Sequence, residues 1–321
     1  MTHDPQIARA VAALSAGELV AFPTETVYGL GGDATSDDAV ARIFAAKGRP
    51  EINPLIVHVA DFAAARRLGS FNAGAERLAS RFWPGPLTLV VPKAPDCSVS
   101  LLATAGLDSI GIRVPAHPRA FSLLRAFGKP VAAPSANVSG RLSPTRAEHV
   151  ARQLSGAVAE IVDEGPTEVG LESTIVSCLT DPPALLRPGG LGRTEIEAVL
   201  STPLQDGLDD QGRPLSPGQL HNHYAPDAAV RLNASSADEG EALLAFGPEV
   251  PVHDGPMRNL SPSGDVTEAA ANLFGFLHDL DAEAGRIAVM PVPNGGLGEA
   301  INDRLRKAAA PRPLDGAREK A

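Results

Sequence analysis

The alternation of short apolar runs with capped amphipathic segments most narrows the folds open to this chain. Through residue 200, runs of three to five strand-forming residues recur between segments of helical periodicity. A chain ordered in this way builds an α/β sheet with helices packed on it. Asp4 and Pro5 open the first helix, Ile7, Val11 and Leu14 share one face, and Gly17 ends it. Leu19–Phe22 reads as a buried strand. Ser36 caps a second helix that carries Val40, Ile43 and Phe44 and closes at Gly48. Further strands are expected at Leu55–Val59, Leu87–Val91, Ile110–Val114, Val131–Ala133, Glu160–Val162, Thr174–Cys178 and Ala184–Leu186, with helices at Asn72–Phe82 and His117–Phe127. Thr145 with Glu148, and Thr194 with Glu197, have the spacing of capping boxes and place two more helix starts.

The rhythm stops at 201–227, where Gly, Pro, Asp and Gln collect. A stretch of that length inside a compact fold is a linker or a functional loop. Strand patterns at Ala228–Leu232, Ala242–Phe246 and Arg286–Met290 then return, with helices at Val266–Leu280 and Leu297–Ala309, before a charged, frayed tail from Pro311. The expectation is a larger α/β domain over 1–200, a linker or lid over 201–227 and a small α/β domain over 228–321.

Charge and composition remove several function classes. Lys and Arg total 28 against 38 Asp and Glu, a net charge of −10, the wrong sign for a protein that coats nucleic acid. One Trp and two Tyr leave little for stacking single-stranded bases. Cys97 and Cys178 can build neither a disulfide framework nor a four-thiolate zinc site. No apolar run reaches the ~18–20 residues of a membrane span, and no basic segment with an apolar stretch opens the chain, so the expected location is the cytoplasm.

Candidate functional residues are polar groups set against the apolar pattern. In Ser109-Ile-Gly-Ile-Arg-Val, Ile110, Ile112 and Val114 share one face while Ser109, Gly111 and Arg113 share the other. Such a strand either lines a cleft, with Arg113 offered to a carboxylate or phosphate, or carries a solvated arginine. His58, inside Leu55-Ile-Val-His-Val, reads from its strand alone as a core histidine rather than a catalyst. The two cations of Lys47-Gly-Arg49 either complement a helix C-terminus or grip a polyphosphate. Pro23-Thr-Glu-Thr-Val-Tyr-Gly-Leu-Gly-Gly is a tight turn or a wrap around a small polar ligand, and matches neither a Walker loop nor a dinucleotide fingerprint. Pro134-Ser-Ala-Asn-Val-Ser-Gly follows a strand, where α/β sheets place ligands. Gly189-Gly-Leu-Gly and Gly295-Gly-Leu-Gly read as turns or helix starts. His221 and His223 have no neighbouring carboxylate or cysteine to complete a metal site, so no metal ligands are assigned.

Taken in order, the motifs form a set. Phe22-Pro-Thr-Glu-Thr-Val-Tyr-Gly-Leu, Lys47-Gly-Arg-Pro-Glu-Ile-Asn-Pro-Leu-Ile-Val-His, Trp83-Pro-Gly-Pro-Leu-Thr and Ile112-Arg-Val-Pro are followed by Pro134-Ser-Ala-Asn-Val-Ser-Gly, Ser143-Pro-Thr, Glu172-Ser-Thr-Ile-Val and Arg187-Pro-Gly. The series resembles the YrdC-like family of L-threonylcarbamoyladenylate synthases. Ser216-Pro-Gly-Gln-Leu-His-Asn-His-Tyr-Ala-Pro and Gly296-Leu-Gly-Glu-Ala-Ile resemble its longer, two-domain form.

The resemblance implies a twisted open α/β sheet with a concave ligand face and a smaller Rossmann-like C-terminal α/β domain. It implies a nucleotidyltransferase that joins L-threonine, bicarbonate or CO2 and ATP into threonylcarbamoyl-AMP and pyrophosphate. A downstream transferase complex then modifies the tRNA adenosine beside the anticodon, and direct tRNA contact is left open. By the same resemblance, Thr26, His58, Arg113, Ala133 and Ser173 hold threonine. Lys47, Arg49, Asn53, Ser109, Ser135, Asn137, Ser143, Arg187 and Tyr224 hold ATP, with Lys47 and Arg49 on the phosphates as the catalytic cations. Mg2+ would travel with ATP, and no protein metal site is expected. An RNA-binding module, a carbamoyl-phosphate-using relative and a structural scaffold are the alternatives.

Overall fold

The computed structural model describes residues 4–50, 53–207 and 224–310. Among these, one mixed sheet holds ten strands. From edge to edge they are Gln205–Asp206, Ala184–Arg187, Thr174–Ser177, Leu87–Pro92, Ser109–Arg113, Ile56–His58, Val131–Ala132, Tyr28–Asp33, Val20–Pro23 and Glu160–Ile161. The apolar faces read from the sequence form its main core, in which Val40, Ile43 and Phe44 of the second helix meet Tyr28, Leu30 and Val57 of the strands. Ile7 and Leu14 of the first helix pack instead on Phe22, Leu123 and Leu124, while Val11 is half-buried at that cluster's margin.

Local rules account for most helix ends. The Asp4, Ser36 and Asn72 side chains cap Pro5–Ser15, Asp37–Lys47 and Ala73–Phe82, and Gly48 closes the second of these in the left-handed conformation. Both expected capping boxes fail. The Thr145 N–H donates to His149 Nδ1 at 3.3 Å, and the helix Ala147–Leu154 starts from Arg146 with no side-chain cap. At the second site only half of such a box forms, two residues earlier: the Glu195 carboxylate accepts from the Gly192 N–H at 3.2 Å, and the helix is Arg193–Leu200.

The expected linker begins as structure, since Gln205–Asp206 extends the sheet in parallel beside Ala184–Leu185. His221 and His223 lie outside the described residues, as does the tail from residue 311. Beyond 224, Ala229–Arg231, Arg286–Val289, Ala242–Ala245 and Met257–Asn259 pair in that order as a parallel four-stranded sheet, covered by helices Val266–Glu283 and Gly298–Ala308. Its apolar core is not separate from the larger unit. Val27, Leu142 and Leu171 pack into one cluster with Leu273, Phe274 and Ile301. At about 1.5–3 kcal/mol for each large apolar side chain buried, this contact holds the small sheet against the loops of the large one.

Candidate active site

The loops that the small unit packs against border a narrow, polar-lined cleft with about 50 Å³ of free volume. Strand register builds one end. Ser109–Arg113 runs parallel to Ile56–His58 with Arg113 opposite His58, which brings both side chains to the same edge. Arg113 is 4 % exposed. Its Nη1 donates to Thr26 Oγ1 at 2.9 Å and its Nε to the Gly85 carbonyl at 3.3 Å. Its Nη2 lies 2.7 Å from Glu25 Oε1, an ion-pair distance without the alignment of a hydrogen bond, so that nitrogen and both Glu25 oxygens make none. Thr24 and Thr26 share a hydrogen bond of 2.7 Å, and Thr88 and Ser173 one of 2.8 Å. Burial, reinforced by the Arg113 charge, pushes the His58 pKa down to about 3, so the ring is neutral and its Nδ1 is unpartnered. A forked cation beside hydroxyls and a neutral imidazole suits a small carboxylate bearing polar groups.

Cations dominate the other end. Lys47, at the last turn of Asp37–Lys47, sends Nζ to the Ser135 and Asn137 carbonyls, both at 2.6 Å. Burial and then the neighbouring Arg49 charge hold its pKa well below that of an ordinary lysine, so a bound anion would restore the proton. Arg49 turns back on its own loop, to the Asn53 carbonyl at 3.2 Å and the Pro54 carbonyl at 3.1 Å, and burial brings its pKa down to about 10. Arg187 leaves its strand to donate through Nη2 to the Ser173 carbonyl at 2.8 Å, and shares a side-chain hydrogen bond with Tyr224. Gly189 permits that approach, because a Cβ there would stand 2.3 Å from the Glu172 carbonyl.

Two further residues close this end. Tyr224 is 4 % exposed, at a positive φ of 65°, and the next residue bonds through its N–H to the Gly140 carbonyl at 2.8 Å. Glu172 lines the cleft and accepts from Ser143 Oγ and, at 2.8 Å, from Arg304 Nε. Burial alone would raise the Glu172 pKa. The Arg304 and Arg187 charges, with those hydrogen bonds, outweigh burial and hold it below the usual carboxylate range.

The sequence matches the Sua5/YciO/YrdC family model, described as "Telomere recombination", over residues 12–189, and the model described as "Threonylcarbamoyl-AMP synthase, C-terminal domain" over residues 191–310. The chain belongs to the Sua5/YciO/YrdC family. A Bacillus subtilis protein named threonylcarbamoyl-AMP synthase is 45 % identical, over 97 % of this chain and 95 % of its own length. A Pyrococcus abyssi protein of the same name is 43 % identical, over 92 % of each chain. The crystal structure of P. abyssi Sua5 complexed with L-threonine superposes with a TM-score of 0.86 at 41 % identity, covering 94 % of both chains. The two-unit α/β architecture expected from the motifs is therefore shared with this full-length relative, and residues 191–310 match a separate C-terminal model.

Of the expected site residues, Thr26, Lys47, Arg49, His58, Arg113, Ala133, Ser135, Asn137, Ser173, Arg187 and Tyr224 line the cleft together. The Ala133 N–H is taken by the Ile56 carbonyl at 2.9 Å, so its carbonyl is the backbone group on offer. Three others stand back from the wall. Ser143 lies behind Glu172 as its hydrogen-bond donor. Ser109 is at the far end of its strand from Arg113, paired with Pro92. Asn53 is 1 % exposed, and neither atom of its amide finds a protein partner. His58 is buried in the sheet, as its strand suggests, and its ring lines the cleft. Glu25, Glu172 and Arg304 carry roles that spacing did not single out. The first two stood inside quoted motifs. Arg304 had no local signal, lying 132 residues from its partner Glu172.

Proposed function

We propose that the chain is a threonylcarbamoyl-AMP synthase, an ATP-using nucleotidyltransferase acting on L-threonine and bicarbonate or CO2. The observation that carries this reading is the pairing, in one cleft, of a carboxylate-ready Arg113 with the three-cation end of Lys47, Arg49 and Arg187. Arg113 takes the threonine carboxylate, Thr26, Ser173 and the Ala133 carbonyl meet its other polar groups, and the neutral His58 ring offers an unpartnered Nδ1. Lys47, Arg49 and Arg187 take the phosphates, with Ser135, Asn137, Ser143 and Ser109 supporting that half. A buried amide with no partner costs about 1–3 kcal/mol per group, and Asn53 would be repaid by ligand contacts on the nucleotide. Tyr224 covers the site from the linker.

The amine of threonine adds to CO2 to give a carbamate and a proton. A carbamate oxygen then attacks the α-phosphorus of ATP, the bond to the β-phosphate oxygen breaks, and pyrophosphate leaves. Such a step needs positioning and stabilised charge more than a nucleophilic side chain. Lys47 and Arg49 supply that charge, and the closed cleft shields the carbamate from water. Mg2+ riding on ATP would neutralise phosphate charge. Glu25 and Glu172, the carboxylates beside the cleft, are engaged by arginines, so the ion would keep phosphate and water ligands.

Residues 1–200 then form the catalytic unit, 201–227 the crossing segment and 228–321 the smaller unit. The product would pass to a tRNA-modifying transferase in the cytoplasm. Among the described residues no helix is long and apolar enough to cross a membrane. The test is pyrophosphate release from Mg-ATP with threonine and bicarbonate added singly and together. Release that requires both, with a threonine-bearing adenylate seen by mass spectrometry, supports the reading. Release indifferent to threonine, or none from folded protein, overturns it.

A further inference from the structure

Arg304 belongs to the small C-terminal unit, on helix Gly298–Ala308, yet its side chain ends against Glu172 and Tyr224, two residues of the cleft wall. It is fully buried. Nε donates to Glu172 Oε2 at 2.8 Å, Nη2 donates to the Pro188 carbonyl at 3.0 Å, and the guanidinium lies 4.9 Å over the Tyr224 ring. Asp303 engages Nη1 and also takes Lys307 Nζ at 2.8 Å. One side chain thus touches the carboxylate held by Ser143, the loop that carries Arg187 and the tyrosine that covers the site. Stability is a weak explanation for such a pair, because burying two charges costs about as much as their attraction returns and an apolar pair of equal volume does as well.

The charge pattern supplies a better explanation. Glu172 is the carboxylate on a cleft wall otherwise occupied by Lys47, Arg49 and Arg187. Left unneutralised, it would compete with an incoming triphosphate for Arg187 and repel it. We infer that Arg304 is a positioning residue for the nucleotide end: it neutralises and tethers Glu172, so that the large unit binds ATP only with the small unit docked. The inference rests on the proposed reading that this end takes ATP.

The test is a double-mutant cycle on the full chain, read as the Kd for ATP by calorimetry. In the wild-type background, Arg304→Gln is expected to weaken ATP binding by roughly tenfold or more, because it bares a buried carboxylate. In the Glu172→Gln background the same change is expected to cost no more than about threefold, because no charge remains to neutralise. The Kd for threonine should move by less than about threefold throughout, since Arg304 touches none of the groups around Arg113. An equal loss in both backgrounds, or no loss in the first, overturns the inference. If Arg304→Gln alone does not fold, the Glu172→Gln protein and the double variant decide. ATP affinities within about threefold of each other support the inference, and a larger gap overturns it. The cycle needs no turnover, so it can succeed where the threonine-dependent reaction fails.

Discussion

Two buried arginine–carboxylate pairs flank the cleft, and they are built differently. Arg113 faces Glu25 at 2.7 Å out of line, and neither Glu25 oxygen makes a hydrogen bond. Arg304 meets Glu172 in line at 2.8 Å, and the carboxylate has Ser143 as a second donor. The first pair is under-satisfied and keeps a guanidinium nitrogen available to a ligand carboxylate. The second is saturated and acts as framework. On the proposed reading, identical chemistry would serve recognition where hydrogen bonds are left unmade, and support where they are complete.

The largest break in that contrast should come from Arg113→Ala. It is expected to raise the KM for threonine by about 100-fold while the KM for ATP moves less than about threefold. Equal losses for both substrates would remove Arg113 from the threonine end. Lys47→Met should act on the other half, raising the KM for ATP by roughly 30-fold and sparing threonine. Lys47 also predicts a pH dependence. Its folded pKa is depressed by burial, and only the charged form attracts phosphate. ATP binding by the wild type should therefore weaken as pH rises toward the ordinary lysine range near 10.4, while Lys47→Arg, which keeps its charge to higher pH, should bind with a flatter profile. Equal slopes for the two proteins would assign the titration elsewhere.

The saturated pair should show itself in stability. Glu172→Gln is expected to cost about 4 kcal/mol and Glu25→Gln about 1 kcal/mol less, because both leave a buried arginine without its carboxylate and only the first also loses made hydrogen bonds. The Glu172 pKa lies below its unfolded value, so its contribution is present above about pH 4.3 and is lost as pH falls through the folded pKa. Thermal melts in acid should therefore decline less steeply for Glu172→Gln than for the wild type. Parallel curves would mean the carboxylate is not stabilised by its arginine.

What could be read from the chain divides along the same line between local and distant contacts. Asn72 and Gly48 were legible because a cap is decided within four residues. The polar face of Ser109–Arg113 was legible from its period of two, although only the register with Ile56–His58 makes it a site. The Thr145 box was misread because His149, one turn on, competes for the Thr145 N–H. The Thr194 box was misread because glycine can serve as an N-cap without any side chain to announce it. Tyr28–Asp33 carries three glycines and reads as a turn until its neighbours Val20–Pro23 and Val131–Ala132 pair with it. Met257–Asn259 is three residues long and is a strand only through Leu243–Ala245. Arg304 sits among Asp303, Arg306 and Lys307 on a charged helix, and nothing local separates it from a solvated cation.

Tyr224 covers the Arg304–Glu172 pair and supplies the finest test. Its ring packs 5.6 Å from Phe274 and beneath the Arg304 guanidinium, while its hydroxyl shares a hydrogen bond with Arg187. Tyr224→Phe removes the second contact and keeps the first. If the ring chiefly completes the framework, the variant should melt close to the wild type and raise the KM for ATP by only about threefold, the scale of one hydrogen bond to a charged partner made in a site still otherwise closed. Tyr224→Ala, which also empties the space beside Phe274 and uncovers Arg304, should then lose both stability and ATP affinity. A Phe variant as impaired as the Ala variant would place the work in the hydroxyl instead, making Tyr224 a direct partner of the nucleotide rather than the cover over its cations.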